Sequence, residues 1–227
     1  MSVFYAPSLQ IEQAHYQLSE EESKHCIRVL RMQEGAAIQL VNGLGLEAHA
    51  VLQDAHPKRC MLQITAVVQH DPTPAIHIAM APTKNMDRIE WFLEKATELG
   101  LTKLTLLNCE HNERKQVNTE RLEKIAVAAM KQSKRYYLPV IEPMQRFSDY
   151  IAAQPTGYFG HCAEGPKIKM SNLVAGKPFL IGPEGDFSEQ EIALAIKSGY
   201  EAVEMSAFRL RTETAALLAT TALLPEQ

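Results

Sequence analysis

LIGPEGDFSEQE, Leu180 to Glu191, joins an apolar strand to a well-started helix through a stiff loop bracketed by glycines. Gly182 and Gly185 flank Pro183-Glu184. Glycine lets a backbone approach a ligand closely or take positive φ, and proline stiffens the turn. Ser188-Glu189-Gln190-Glu191 is a capping box, in which Ser188 and Glu191 satisfy each other's backbone donors and open a helix. A strand feeding a capped helix is one unit of an alternating α/β pattern, and open α/β sheets bind ligands at the carboxyl ends of their strands. A plain turn shows the same local pattern, so the flanking sequence has to decide.

Working outward, the alternation holds from residue 75 to 227. Ile76–Ala81 reads as a strand. Arg88–Leu99 reads as a helix, with Ile89, Phe92, Leu93, Ala96 and Leu99 on one stripe and Gly100 as its stop. Leu104–Leu107 is a strand, Thr119–Arg135 a helix, and Tyr158–Cys162 and Phe179–Ile181 are strands. The helix from Ser188 closes at Gly199, Ala202–Met205 is a strand, and Thr212–Leu224 is the last helix. This predicts an α/β domain with a largely parallel sheet. Asp71-Pro72-Thr73-Pro74 marks its start, because paired prolines disfavour helix and central strand. Residues 1–70 read differently. Ser19 to Glu22 is another capping box, opening a short helix through Arg31. Ala36–Val41, the Asn42-Gly43 turn, Leu46–Leu52 and Cys60–Val68 then suggest a small β-barrel.

The chain has 227 residues, 46% hydrophobic and 22% charged, as in ordinary globular proteins. No run approaches the roughly 20 apolar residues of a membrane span, and Met1 to Gln10 lacks signal-peptide character. A cytoplasmic protein is expected. Cys26, Cys60, Cys109 and Cys162 lie far apart, which argues for reduced, mostly buried thiols and against disulfides or a zinc site. The net charge of −4 argues mildly against nucleic acid. Yet basic residues cluster at Arg28/Arg31, Lys58/Arg59, Arg114/Lys115 and Lys131/Lys134/Arg135, leaving room for a local basic face. Each cluster alone reads better as a solvated helix face.

Three strand ends carry unusual loops: His161 to Gly165, Ile181 to Asp186, and Met205 to Arg211. Arg209 and Arg211 alternate, so an extended segment points them to opposite sides. Glu213 suits a helix N-terminus for stability alone. No G-x-G-x-x-G, G-x-x-x-x-G-K-[ST] or G-x-S-x-G occurs in the required context, so nicotinamide, nucleoside-triphosphate and hydrolase readings lose their support. Trp91, Tyr136 and Tyr137 are assigned to core, with an interface as the other option for Trp91.

In combination, LIGPEGDFSEQE and FRLRTETAALLA (Phe208 to Ala219) resemble the RsmE family of bacterial small-subunit ribosomal RNA (uracil-N3) methyltransferases, within the SPOUT superfamily. HCIRVLR (His25 to Arg31), TELG (Thr97 to Gly100) and KQSKRYYLP (Lys131 to Pro139) match in order, so the resemblance spans nearly the whole chain. It implies a PUA-like RNA-binding barrel over 1–70 and a SPOUT α/β domain with a deep trefoil knot over 75–227. General rules make such knots very rare, so pattern reading alone draws an ordinary doubly wound sheet. The resemblance further implies a homodimer that binds S-adenosylmethionine among the three loops and methylates N3 of a uridine in 16S ribosomal RNA of the small subunit.

Carried over, the donor-binding candidates are Gly182, Glu184, Met205, Ser206, Leu210 and Arg211, with His161 and Cys162 contributing mostly backbone. The chain departs from the family in Gly185-Asp186, where a double glycine is usual, in Lys131, where an acidic residue is common, and in Ser206-Ala207, where Leu-Gly is common. Uracil N3 carries a proton, so transfer needs a base or stabilisation of charge on O2 and O4. Arg211 is the candidate for the charge; Glu184 or Glu213 is the candidate base. Arg28, Arg31, Lys131, Lys134 and Arg135 are the RNA-binding candidates. A non-catalytic RNA-binding protein on the same fold, or a SPOUT enzyme with another RNA target, remains the alternative.

Overall fold

The computed structural model describes residues 1–225. They form two compact units. The first is Met1–Pro72 with Val127–Leu138; the second is Thr73–Ala126 with the chain from Pro139 onward.

The first unit holds strands β1 (Ser2–Tyr5), β2 (His15–Gln17), β3 (Ala37–Val41), β4 (Leu46–Asp54) and β5 (Met61–Gln69), ordered β1-β3-β4-β5-β2. β1 pairs parallel with β3, and the other pairs are antiparallel. Alternation along these strands sends Phe4, Ile38, Leu40, Leu52 and Leu62 into one core, all inaccessible or nearly so. The short helix α1 (Glu20–Lys24) begins where expected, with Ser19 Oγ accepting from Glu22 N at 3.2 Å. It does not continue as an α-helix to Arg31. A π-helical turn over His25–Val29 takes over and ends at Arg31, whose φ is +52°.

Residues 127–138 complete this unit. The Lys131 ammonium pairs with the Glu22 carboxylate and sits 5.7 Å from the centre of the Phe4 ring. Gly45 N donates to Tyr136 O at 3.0 Å and Leu138 N to Gly43 O at 2.9 Å. Tyr136 stacks on His70 at 3.5 Å, and Tyr137 Oη donates to the His70 carbonyl at 2.8 Å. Gly45 has φ +93°, and a Cβ there would overlap Tyr137 Oη, so only glycine admits this approach. Tyr136 and Tyr137 are thus half-buried staples rather than core.

The second unit alternates as the sequence implies: β6 (His77–Met80), α2 (Met86–Leu99), β7 (Lys103–Asn108), α3 (Thr119–Gln132, whose last turns belong to the first unit), β8 (Val140–Arg146), α4 (Phe147–Ala153), β9 (Gly157–Gly160), β10 (Ile168–Lys169), β11 (Phe179–Ile181), α5 (Glu189–Lys197), β12 (Tyr200–Glu204) and α6 (Thr212–Ala222). Its seven strands run in the order β10-β12-β9-β11-β6-β7-β8, every pairing parallel. Both faces of such a sheet are covered, which is why the central strands are continuous apolar runs. Asn85 caps α2, with Oδ1 accepting from Asp87 N at 3.0 Å, and Gly100 ends it at φ +109°. Trp91, on that helix, is 45% exposed and so is not a core residue. Among the described residues no helix is long and apolar enough to cross a membrane.

His77 on β6 donates to or accepts from Thr105 Oγ1 at 2.9 Å. Burial, reinforced by Lys103 and opposed by Glu142, pushes its pKa down to about 4. Below pH 6.5 the unfolded chain binds a proton that the folded chain refuses, so stability falls as pH drops from 6.5 toward 4. The expected loss is on the order of 2–3 kcal/mol. Denaturant unfolding of wild type and His77→Gln at pH 7.5 and 4.5 checks this: subtraction removes the common carboxylate contribution. Equal pH dependence in both proteins would refute it.

Candidate active site

β12, β9 and β11 are neighbours in the sheet and run parallel, so their carboxyl ends open side by side. The loops that follow them, 161–165, 182–186 and 205–211, surround one cavity of about 920 Å³. That volume lies in the range of roughly 300–1,000 Å³ typical of small-molecule sites. Every donor-binding candidate lines it: His161, Cys162, Gly182, Glu184, Met205, Ser206, Leu210 and Arg211.

In the first loop His161 stacks on Phe159 at 5.0 Å. Burial, with help from Lys167, lowers its pKa, favouring the neutral ring. Its Nδ1 is buried and has no hydrogen-bond partner among the described residues, so a polar ligand has a group to meet. Cys162 is the exposed thiol of the four, the other three being buried.

The second loop is fixed by Asp186. Its φ of +66° is unusual for a residue with a side chain, though aspartate tolerates it better than most. The backbone shape is the one a glycine suits, so the aspartate here carries a conformational cost that a glycine would avoid. The carboxylate that replaces it does further work: Oδ2 accepts from Cys162 N at 2.7 Å and Oδ1 from Phe187 N at 2.8 Å. Asp186 O meets His111 Nδ1 at 3.0 Å. Asp186 therefore ties the first loop to the second. Sequence reasoning recorded the departure but missed this role. Asp186→Ala is expected to weaken donor binding several-fold and cost about 1–3 kcal/mol. Asp186→Gly, losing the same bonds but relieving φ, is expected to be the more stable of the two. Thermal midpoints of the pair check the order; alanine at or above glycine would contradict it.

Beneath that loop Gly182 rests on Phe187, where an added Cβ would stand 3.2 Å from the ring. Glu184 is exposed, and its Oε1 accepts from Lys84 N at 3.2 Å. In the third loop Met205 packs its sulfur against Gly160, and Ser206 Oγ accepts from Phe208 N at 3.1 Å. Arg209 Nη2 donates to Glu184 O at 3.4 Å. Both Arg209 and Arg211 line the cavity; 205–211 is not a strand and bends at 207–208. Arg211 is exposed, and its guanidinium makes no hydrogen bond or ion pair among the described residues.

Glu213 stands apart. It is buried in the first turn of α6 and does not line the cavity. Its Oε1 is 3.8 Å from Arg88 Nε, and Arg88 does line the cavity. Nothing in the local sequence around Arg88 signalled this. The RNA-binding candidates all fall in the first unit. Arg28, Arg31 and Lys134 are exposed, Arg135 is half-buried, and Lys131 is engaged by Glu22.

Residues 70–224 match the family model of the RNA methyltransferase domain, and residues 18–65 that of the RNA methyltransferase PUA domain. A relative from Synechocystis sp., ribosomal RNA small subunit methyltransferase E, is 31% identical over 92% of this chain and 73% of its own. The chain belongs to the ribosomal RNA small subunit methyltransferase E family. Two solved structures extend the likeness of this family member. A probable rRNA-methyltransferase from Porphyromonas gingivalis is 36% identical, with TM-score 0.87 over 97% of this chain and 96% of its own. Ribosomal RNA small subunit methyltransferase E from Neisseria gonorrhoeae, solved bound to S-adenosyl methionine, is 26% identical, with TM-score 0.85 over 98% and 96%.

Proposed function

We propose that this protein transfers a methyl group from S-adenosylmethionine to N3 of a uridine in 16S ribosomal RNA of the small subunit. The observation that carries the reading is the meeting of three strand-end loops on one cavity that leaves the Arg211 guanidinium free. The loops suit the donor: short backbone-rich segments, the orphaned His161 Nδ1, and apolar Met205 and Leu210 beside polar Ser206. His161, Cys162, Gly182, Met205, Ser206 and Leu210 would hold it, and it supplies an electrophilic methyl group.

The protein's own part is to bring uracil N3 into line and manage its proton. Arg211 offers positive charge to O2 or O4 as negative charge develops there. Glu184, exposed at the cavity, is better placed than buried Glu213 to receive the N3 proton. Glu213 acts as a positioning residue that holds Arg88 at the cavity wall. Arg28, Arg31 and Lys134 supply phosphate contacts from a PUA-like barrel over 1–70. Lys131 and Arg135 contribute mainly to the packing of that unit.

The second unit, 75–227, is read as a SPOUT domain with a trefoil knot. Supporting this, β11 inserts between β6 and β9 while the later β12 lies on the far side of β9. A homodimer is proposed, supported by exposed Trp91 and Leu218 on the mutually packed helices α2 and α6. The enzyme is proposed to act in the cytoplasm.

The test is transfer of labelled methyl to small ribosomal subunits lacking the modification, with the product mapped to the base. Label at N3 of one uridine is the expected result. Saturable donor binding with label at another atom favours a different RNA target; RNA binding without donor binding favours a non-catalytic protein.

A further inference from the structure

The Phe208 side chain is 83% exposed, more than any other large apolar side chain among the described residues. It stands on the third loop and lines the cavity together with Glu184, Leu210 and Arg211. The segment beneath it is tied down: Phe208 N donates to Ser206 Oγ at 3.1 Å, and Arg209 Nη2 donates to Glu184 O at 3.4 Å. A held backbone thus presents a bare ring at the mouth of the site. Arg209 and Arg211 follow it in the chain and line the same cavity.

We propose that Phe208 stacks on the face of the target uracil when that base enters the site. This rests on the proposed methyl transfer to a uridine. The reacting atom is on the edge of the base, so that edge must point inward to Arg211 and Glu184, which leaves the π-face to the rim. A base drawn out of its stack loses its neighbours, and an aromatic side chain replaces them. The Arg209 guanidinium beside the ring suits a phosphate flanking the base. The ring is a positioning device: it contributes to the RNA and not to the donor, and it reads planarity while the edge contacts read identity.

The experiment measures methylation of unmodified small ribosomal subunits by Phe208→Ala, Phe208→Leu and Phe208→Trp, with donor affinity by calorimetry and oligomeric state by sedimentation. Phe208→Ala is expected to lower kcat/KM for the subunit roughly 10- to 100-fold with unchanged donor affinity and sedimentation. Tryptophan is expected to restore most of the rate and leucine not to. Rescue by leucine equal to that by tryptophan overturns stacking. Weakened donor binding in Phe208→Ala assigns the ring to the donor, and altered sedimentation assigns it to a second copy; either overturns the proposal. If wild-type protein transfers no methyl to the subunits, the functional reading fails and the proposal with it. Full activity of Phe208→Ala removes only the stacking.

Discussion

Arg211→Ala is expected to slow methyl transfer by about 100- to 1,000-fold, the usual effect of removing one charge-stabilising donor from a site. The side chain is exposed and unpaired, so its loss leaves no buried group without a partner and the fold should keep its thermal midpoint. Single-turnover transfer to small ribosomal subunits separates the step from product release. Lysine at 211 restores charge but not the planar fork, so it should recover only part of the rate. A variant with wild-type single-turnover rate would remove Arg211 from the chemistry. A variant that loses donor binding in proportion to rate would move it to the donor pocket.

The second large effect is on stability. Phe187 is 4% exposed and packs against Phe147 at 5.3 Å and Phe159 at 6.2 Å. It also floors the Gly182 turn. Phe187→Ala is expected to cost about 3–5 kcal/mol, because the surrounding strands and α4 cannot collapse into the space. The same cavity lies directly under the second loop, so donor affinity should fall as well. Denaturant unfolding and calorimetric titration check both. A loss under about 1 kcal/mol would mean that the ring is not the support described.

The α/β alternation was legible because β6, β7, β9 and β11 are short, largely apolar runs and α2, α3 and α5 are amphipathic helices between strands. β8 was not. It carries Pro143 and Glu142 in an edge position, where a missing N–H does no harm, and that composition hides a strand from pattern reading. β1 and β2 are too short to show a period. The three loops were identifiable from composition at strand ends, but their convergence is a product of strand order, which no local pattern encodes. Glu213 could not be separated from Glu184 by sequence, since burial against Arg88 depends on α2 meeting α6. Lys131 looked like an RNA contact because its partner Glu22 lies on a distant part of the chain. Asp186 was visible only as an anomaly; its meaning needed φ and the Cys162 amide.

The return of residues 127–138 to the first unit has a consequence for synthesis. The unit's five strands are all made by Gln69, yet the staple on His70, the partner of Glu22 and the backbone bonds to Gly43 and Gly45 arrive only with Lys131 to Leu138. At about 5–20 residues per second, the nascent sheet waits several seconds without the Lys131 partner of the Glu22 carboxylate. The N-terminal unit therefore does not finish folding before the second begins to emerge, and the order of synthesis couples the two.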